Sequence, residues 1–223
     1  KNSERLLILE ALLFGQAGLL ENKFKEEYPN LLQNEYNYQQ KKHNLPPPLQ
    51  RHIWKYSRMR PGNFPDLRIA QLAMLIHKNK GFRFRHIISE KRVKKINNMF
   101  SGSCSEYWTT HYRLGDPVLK KTSAMGSETV NRILINAVVP AMALEEKAKQ
   151  TTYSLEDAIG LLEQLPPENN KIIRKWQKHI SNLANAAETQ GLLELYKYYC
   201  LPKKCLKCMI GNKLLGGHVA FRK

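Results

Sequence analysis

Acidic residues are scarce in this 223-residue chain: nineteen Asp and Glu stand against thirty-six Lys and Arg, a formal net charge of +17. That balance excludes a surface built to attract cations and favours polyanions, nucleic acid first among them. A solvated basic surface, or one that docks on an acidic partner, is the competing explanation. Cysteine is equally sparse, with four residues, three of them between positions 200 and 208. This spacing excludes the distributed disulfide framework of a small secreted domain and fits a reducing, cytoplasmic setting.

Long apolar runs are missing as well. The longest, Ile133 to Leu144, is broken by Asn136 and Pro140 and falls well short of the roughly 20 residues that a membrane span needs. A soluble chain with no membrane among its partners is therefore expected. The seven histidines form no His-x-His, His-x₃-His or His-Glu-x₂-His pattern, so a helical metalloenzyme site has no support. Phe14-Gly15-Gln16-Ala17-Gly18 superficially resembles a phosphate loop, but no Gly-Lys-Ser/Thr follows it. A helix end or a close helix crossing accounts better for its two glycines. Pro65-Asp66 and Glu145-x-Lys147 match a nuclease metal motif only formally, because they fall on predicted helices rather than on adjacent strands.

What the chain does contain is helical periodicity and enough aromatic residues, three Trp, ten Tyr and seven Phe, to build a core. No stretch alternates with a period of two between hairpin turns. The expected fold is mainly α: an irregular multi-helix bundle with long connecting loops and little or no sheet. It occupies residues 1–223 as a single domain, with a possible division into two packed halves near 115–126. Ser3 is placed to cap the first helix, and the Lys-Asn-Ser-Glu opening is expected to follow an upstream portion of a longer protein.

Helical spacing at Tyr28, Leu31, Leu32, Tyr36 and Gln39 predicts a helix that ends before Pro46-Pro47-Pro48. Asn63 or Asp66 is placed to cap the next one, which should turn Ile69, Leu72, Ala73 and Ile76 inward and Arg68 and Gln71 elsewhere. Pro140 should kink the helix that begins near Ser127-Glu128. A helix is also predicted from Ser154-Leu-Glu-Asp157 to Pro166, and another from Pro167 through Leu183.

Basic residues cluster in two of these regions. Residues 78–95 carry Lys78, Lys80, Arg83, Arg85, Lys91, Arg92, Lys94 and Lys95, with Phe82 and Phe84 interleaved and Glu90 as the single acid. From Ser89 a helix fits, with Val93, Ile96, Met99 and Phe100 on one side and Lys91, Lys94 and Lys95 opposite. Lys171, Arg174, Lys175 and Lys178 form a second stripe, away from Ile172, Ile173, Trp176, Ile180 and Leu183. Both stripes are candidate contacts for the phosphates of DNA or RNA. Arg58, Arg60 and Arg68, around a proline-stiffened turn, could clamp an anion, since a fixed guanidinium fork suits phosphate or carboxylate. The structural alternative stacks Arg58 on Trp54 and bridges Arg68 to an acidic neighbour. A pocket enzyme built on Arg58, Arg60, Asn63, Arg68 and His111 is a further alternative. His111, set among Tyr107, Trp108, Thr110 and Tyr112, also reads as a hydrogen-bonded core residue.

Cys200-x₄-Cys205-x₂-Cys208 is the best metal candidate, because Cys-x₂-Cys lets two thiolates converge and Cys200 can add a third. His218, or the more distant Cys104 or His111, would complete a zinc site. Reduced, partly buried cysteines are the plainer reading.

Five strings then acquire a joint meaning: Leu9-Glu-Ala-Leu-Leu-Phe-Gly-Gln-Ala-Gly18, Arg58-x-Arg-Pro-x-Asn-Phe-Pro-x-x-Arg-Ile-Ala-Gln71, Tyr107-Trp-x-Thr-His-Tyr112, Leu162-Glu-Gln-Leu-Pro-Pro-Glu-Asn-Asn170 and Tyr199-Cys-x₄-Cys-Leu-x-Cys-x-Ile-Gly211. In this order they resemble the C-terminal half of a bacterial family known as domain of unknown function 2851. The resemblance implies an upstream segment with Gly-Pro-Asp-Phe and Glu-x-His signatures, similar to a restriction-endonuclease-like core. On that reading any catalytic carboxylates lie upstream. This chain would then be a non-catalytic accessory that grips nucleic acid or packs its basic face on the upstream domain.

Overall fold

A computed structural model describes residues 2–81, 83–149 and 155–215. The chain is mainly α-helical, as its periodicity predicts, and the described residues divide into two compact units. The first comprises residues 1–85 and 94–130, and the second residues 86–93 and 131–223.

The first unit opens with α1 (Asn2–Gln16) and α2 (Glu27–His43), followed by α3 (Pro65–Lys78). Both α2 and α3 pack on α1. Helix α1 begins at Asn2, ahead of the predicted cap at Ser3. Its two glycines do different jobs. Gly15 lies so tightly against the Tyr36 ring that a Cβ would overlap it. Gly18, with φ +68°, ends the helix in the left-handed region, and the Leu19 amide reaches back to the Phe14 carbonyl at 3.0 Å. Asn44, also left-handed at φ 46°, closes α2 before the prolines are reached.

Helix α3 corrects two expectations. Its first turn starts with Pro65, no side chain caps it, and Asp66 is buried instead. The inward face is carried by Leu67, Ala70, Ala73 and Met74, while Leu72 is exposed. Gln71 is also buried, and its Nε2 donates to the Ser123 carbonyl at 3.2 Å. A polar side chain can occupy this position because its donor is matched inside.

Short helices α4 (Phe84–Ile88) and α5 (Val93–Phe100) follow. The predicted start at Ser89 moves to Val93, yet Ile96 and Phe100 are buried, and Lys94 and Lys95 are exposed. Lys78 Nζ closes the end of α5 by donating to the carbonyls of Asn98 and Ser101, both at 2.6 Å. A 3₁₀ turn, Glu106–Thr109, leads into β1 (His111–Arg113), which pairs antiparallel with β2 (Asp116–Pro117). Phe14, Leu32, Ile96, Phe100 and Trp108 form the centre of this unit.

Helix α6 (Ser127–Ile133) crosses from one unit to the other and runs through a π-helical turn, Leu134–Val138, into α7 (Val139–Lys149). In that turn the Val139 amide bonds to the Leu134 carbonyl, five residues back. The irregularity predicted at Pro140 is thus taken up just before it, where the wider turn absorbs the lost proline donor. Helices α8 (Glu156–Glu163), α9 (Lys171–Trp176) and α10 (Ala186–Leu195) complete the body of the second unit around Leu134, Val138, Leu161, Leu165 and Ile173. Helix α9 begins at Asn170, whose side chain accepts from the amides of Ile172 and Ile173, and not at Pro167. It stops at Trp176, shorter than the apolar spacing predicted. Ser154, the predicted cap of α8, lies outside the described residues.

Gly15 and Gly191 supply a paired test. Replacing Gly15 by alanine should destabilise the protein by roughly 1–3 kcal/mol, because the new methyl must displace the Tyr36 ring. Gly191, inside α10 with open space around it, should gain roughly 0.5–1 kcal/mol on the same change. Chemical denaturation of both variants checks the two signs.

Candidate functional site

The polar centre of the first unit is Glu10, a fully buried carboxylate in the apolar stretch of α1. Burying such a group is unfavourable unless donors surround it. Tyr28 on α2 donates its hydroxyl to Glu10 Oε2. Ser105 Oγ lies 3.0 Å from Oε1, and Trp108 Nε1 donates to Oε2 at 3.2 Å. Burial raises the Glu10 pKa above the ordinary carboxylate value, although the Tyr28, Trp108 and Ser105 hydrogen bonds pull against it. The same burial, with Glu10 nearby, pushes the Tyr28 phenol up and the Cys104 thiol up to about 12.

Rings hold these donors in place. Phe14 stacks on Trp108 with centroids 5.2 Å apart, Tyr28 on Tyr107 at 4.7 Å, and Tyr107 on His111 at 3.8 Å. Tyr107 then ties in a second carboxylate, donating to Glu26 Oε2 at 2.6 Å while accepting from the Gly115 amide at 2.9 Å. His111 Nε2 sits 3.0 Å from Glu26 Oε1, and its Nδ1 sits 2.9 Å from the Tyr107 carbonyl. Burial works to raise the Glu26 pKa, but hydrogen bonds from Tyr107 and His111, with the charge of His111, outweigh it and hold the carboxyl below its ordinary value. A third carboxylate, Asp66, accepts from Tyr56 Oη at 2.5 Å and from the Leu114 amide at 3.1 Å. Each of these acids joins elements distant in sequence, so this network acts as a frame.

The arginines of the proline-stiffened turn separate by role. Arg68 donates to Asn63 Oδ1 at 2.6 Å and to Gln71 Oε1 at 2.7 Å, both amide oxygens. Arg58, at φ 62°, and Arg60 are exposed. Trp54 donates its indole N–H to the Ala17 carbonyl, and it is Arg113 that lies over an aromatic ring, 4.6 Å from the centre of Tyr56. His111 is committed to Glu26, as expected of a hydrogen-bonded core histidine.

Basic residues occupy exposed positions in both units. In the first, a cleft of about 630 Å³ is lined by Arg5, Ile8, Leu9, Ile76, His77, Lys78, Lys80 and Gly81, with no carboxylate among the described lining residues. Arg83, Phe84 and Arg85 are exposed just after it in the chain. Lys94 and Lys95 are likewise exposed on α5. In the second unit Lys171, Arg174, Lys175 and Lys178 are exposed on and after α9, and Arg174 reaches Asn169 at 3.3 Å. Lys91 is ion-paired to Asp157 at 2.6 Å, which offsets its charge. Phe82 lies outside the described residues.

Cys200 and Cys205 are exposed and Cys208 is buried. Burial raises the Cys200 pKa, as do the neighbouring Cys208 and Cys205 thiols. Among the described residues no three His, Cys, Asp or Glu side chains are grouped to hold a metal ion, and His218 lies outside them.

Residues 1–171 match the family described as "Protein of unknown function (DUF2851)". The chain belongs to this family. No curated protein and no solved structure matches it. The DUF2851 match takes in four of the five strings noted in the sequence, and the cysteine string Tyr199–Gly211 lies beyond it. Within the matched region, Leu9–Gly18 contributes Glu10, Arg58–Gln71 contributes Asp66 and Arg68, and Tyr107–Tyr112 contributes the ring stack.

Sequence reasoning singled out His111 and Trp108 but missed Glu10, Tyr28, Ser105 and Glu26. One signal was available: a lone acid at position 10 between Leu9 and Leu12 is unfavourable in an apolar helix face unless a partner awaits it. Nothing local identifies that partner ninety-five residues away.

Because the Glu26 pKa is depressed in the fold, its stabilising contribution is complete above the unfolded value near 4.5 and is lost as pH falls through the folded value. Glu10, with a raised pKa, acts oppositely: its contribution is most favourable below about 4.5 and declines as pH rises through its folded value. Thermal melts across pH 3–8 should therefore show a shallower acid limb for Glu26→Gln than for the parent chain. For Glu10→Gln they should show a reduced decline on the other side.

Proposed function

We propose that this chain binds nucleic acid through contacts to the phosphate backbone, with the first unit's cleft and the exposed basic residues after it as the principal surface. The observation that carries this reading is the lining of that cleft: Arg5, His77, Lys78 and Lys80, with no carboxylate among the described lining residues. Among the described residues Arg5, Lys80, Arg83 and Lys94 are exposed, and their side chains take part in no hydrogen bond or ion pair. Their charges are therefore available to an incoming polyanion, unlike that of Lys91 beside Asp157. Lys78 is already spent on the carbonyls at the end of α5 and serves to place that helix.

The net charge of +17 supplies a long-range attraction, and phosphate contacts of this kind carry affinity without reading sequence. The buried carboxylate network supports such a role mechanically. It fixes α1, whose exposed Arg5 lines the cleft, and the 105–111 segment in one arrangement. No acid–base or nucleophilic role is assigned to Glu10, Glu26, Asp66 or His111, since each is engaged within the frame. The four residues Lys171, Arg174, Lys175 and Lys178 form a second, separate phosphate-contact surface on the other unit.

Fluorescence anisotropy with labelled DNA and RNA at increasing salt tests the reading. Binding should weaken steeply with salt. The triple variant Arg5→Gln, Lys80→Gln, Arg83→Gln should lower the slope of log K against log salt by roughly 2–3, close to 0.9 per lost phosphate contact. Lys91→Gln should leave it nearly unchanged. No binding of either nucleic acid at low salt would remove the proposal.

A further inference from the structure

The second unit ends in a segment whose chemistry differs from that of the two basic stripes. After the π-helical turn Tyr196–Cys200, the chain reverses at Lys203, held at φ 56°, passes through the 3₁₀ turn Cys205–Lys207 and closes with α11 (Met209–Leu214). This knuckle is built by its own contacts. The Lys204 amide returns to the Tyr199 carbonyl at 2.8 Å, and Asn212 Nδ2 donates to the Leu206 carbonyl at 3.1 Å. Cys208 is its buried centre. Gly211 comes so close to Cys205 that a Cβ would stand 2.6 Å from the Cys205 oxygen, so a side chain there would force the two turns apart.

Internal order of this kind leaves apolar side chains outside. Leu214 is 81% exposed, Leu206 74%, Met209 65% and Leu201 64%. Tyr198 and Tyr199 are exposed beside them. Between Tyr196 and Leu215 there are five lysines, at 197, 203, 204, 207 and 213, with no acid and no arginine.

We propose that this knuckle is a peripheral membrane-contact surface, which seats its protruding leucines and Met209 in the headgroup region of an anionic bilayer while its lysines face the lipid phosphates. Charge complementarity selects the occupant. A second copy would bring five lysines against five. Nucleic acid has no use for a group of exposed aliphatic side chains. Protein interfaces enrich arginine and deplete lysine, the reverse of what stands here. Lysines around aliphatic side chains, with tyrosines that carry an apolar ring and a polar tip, match the boundary between acyl chain and headgroup. None of the described helices is long and apolar enough to cross a membrane, so contact on this surface is interfacial, and it departs from the expectation of no membrane partner, which rested on span length alone. The knuckle shares no residue with the proposed nucleic-acid surfaces, so either reading can fail without the other.

Co-sedimentation of the full 223-residue chain with phosphatidylcholine vesicles, with and without about 30% phosphatidylserine, tests the proposal. Binding is expected to the anionic vesicles only, and each of Lys204→Gln and Lys207→Gln should weaken it about fivefold. The double variant Leu206→Ser, Leu214→Ser should weaken it about tenfold or more with nucleic-acid binding unchanged. Leu206→Trp gives a second readout, a blue shift of the new indole on addition of anionic vesicles. The proposal is overturned by no vesicle binding at about 0.1 M salt, by binding that ignores the leucine changes, or by an indole that shows no shift. It is equally overturned if the leucine variant instead breaks a solution dimer or loses binding to an acidic polypeptide while vesicles are never bound.

Discussion

A carboxylate buried in the apolar face of α1 makes demands that shape everything packed around it. Glu10 is wholly removed from water, and a carboxylate so placed is strongly destabilising unless its oxygens are saturated by donors. The donors come from α2, through Tyr28, and from the 105–108 segment, through Ser105 and Trp108. Hydrogen bonds to a charged acceptor contribute roughly 1.5–3 kcal/mol each, but their directional requirement matters more. A core of leucines tolerates small displacements, whereas these three donors reach two oxygens only when α1, α2 and the Trp108 turn stand in one relation. The ring stack from Tyr28 through Tyr107 to His111 carries the constraint outward to Glu26.

That frame has a consequence for the surface. Glu10 and Asp66 are turned inward and Glu26 is tied to Tyr107 and His111, while the cleft lined by Arg5, His77, Lys78 and Lys80 has no carboxylate among its described lining residues. The net charge of +17 favours polyanions, which is the basis of the binding role proposed above for this member of the DUF2851 family. The knuckle at residues 196–215 is organised on another principle, with backbone hydrogen bonds and a buried Cys208 holding apolar side chains outward.

How much of this could be read in advance differs by feature. The mainly helical class followed from periodicity, which depends only on local spacing. So did the inward face of α5, where Ile96 and Phe100 are buried, and the role of the Gly15 to Gly18 pair. Capping at α3 was misread because a buried Asp66 serves Tyr56 and Leu114, partners that local pattern does not reveal. Helix α9 was drawn too long because the apolar spacing continues past Trp176 although the helix does not. The side chains Ile180 and Leu183 border a different hollow, beside α10.

The sequence alone determined composition-bound and spacing-bound properties: a strongly basic chain, helical class, the absence of a span-length apolar run, of a paired-histidine metal pattern and of a phosphate loop. Those depend on residues within a few positions of one another. Only the tertiary structure decided which charges are consumed and which are presented. It turned Glu10 and Gln71 inward, paired Lys91 with Asp157, spent Lys78 on the end of α5 and left Arg5 and Lys80 in a cleft. The reason is physical: solvation and pairing of a charge depend on what surrounds it in space, and for Glu10 those surroundings come from residues as far away as Ser105 and Trp108.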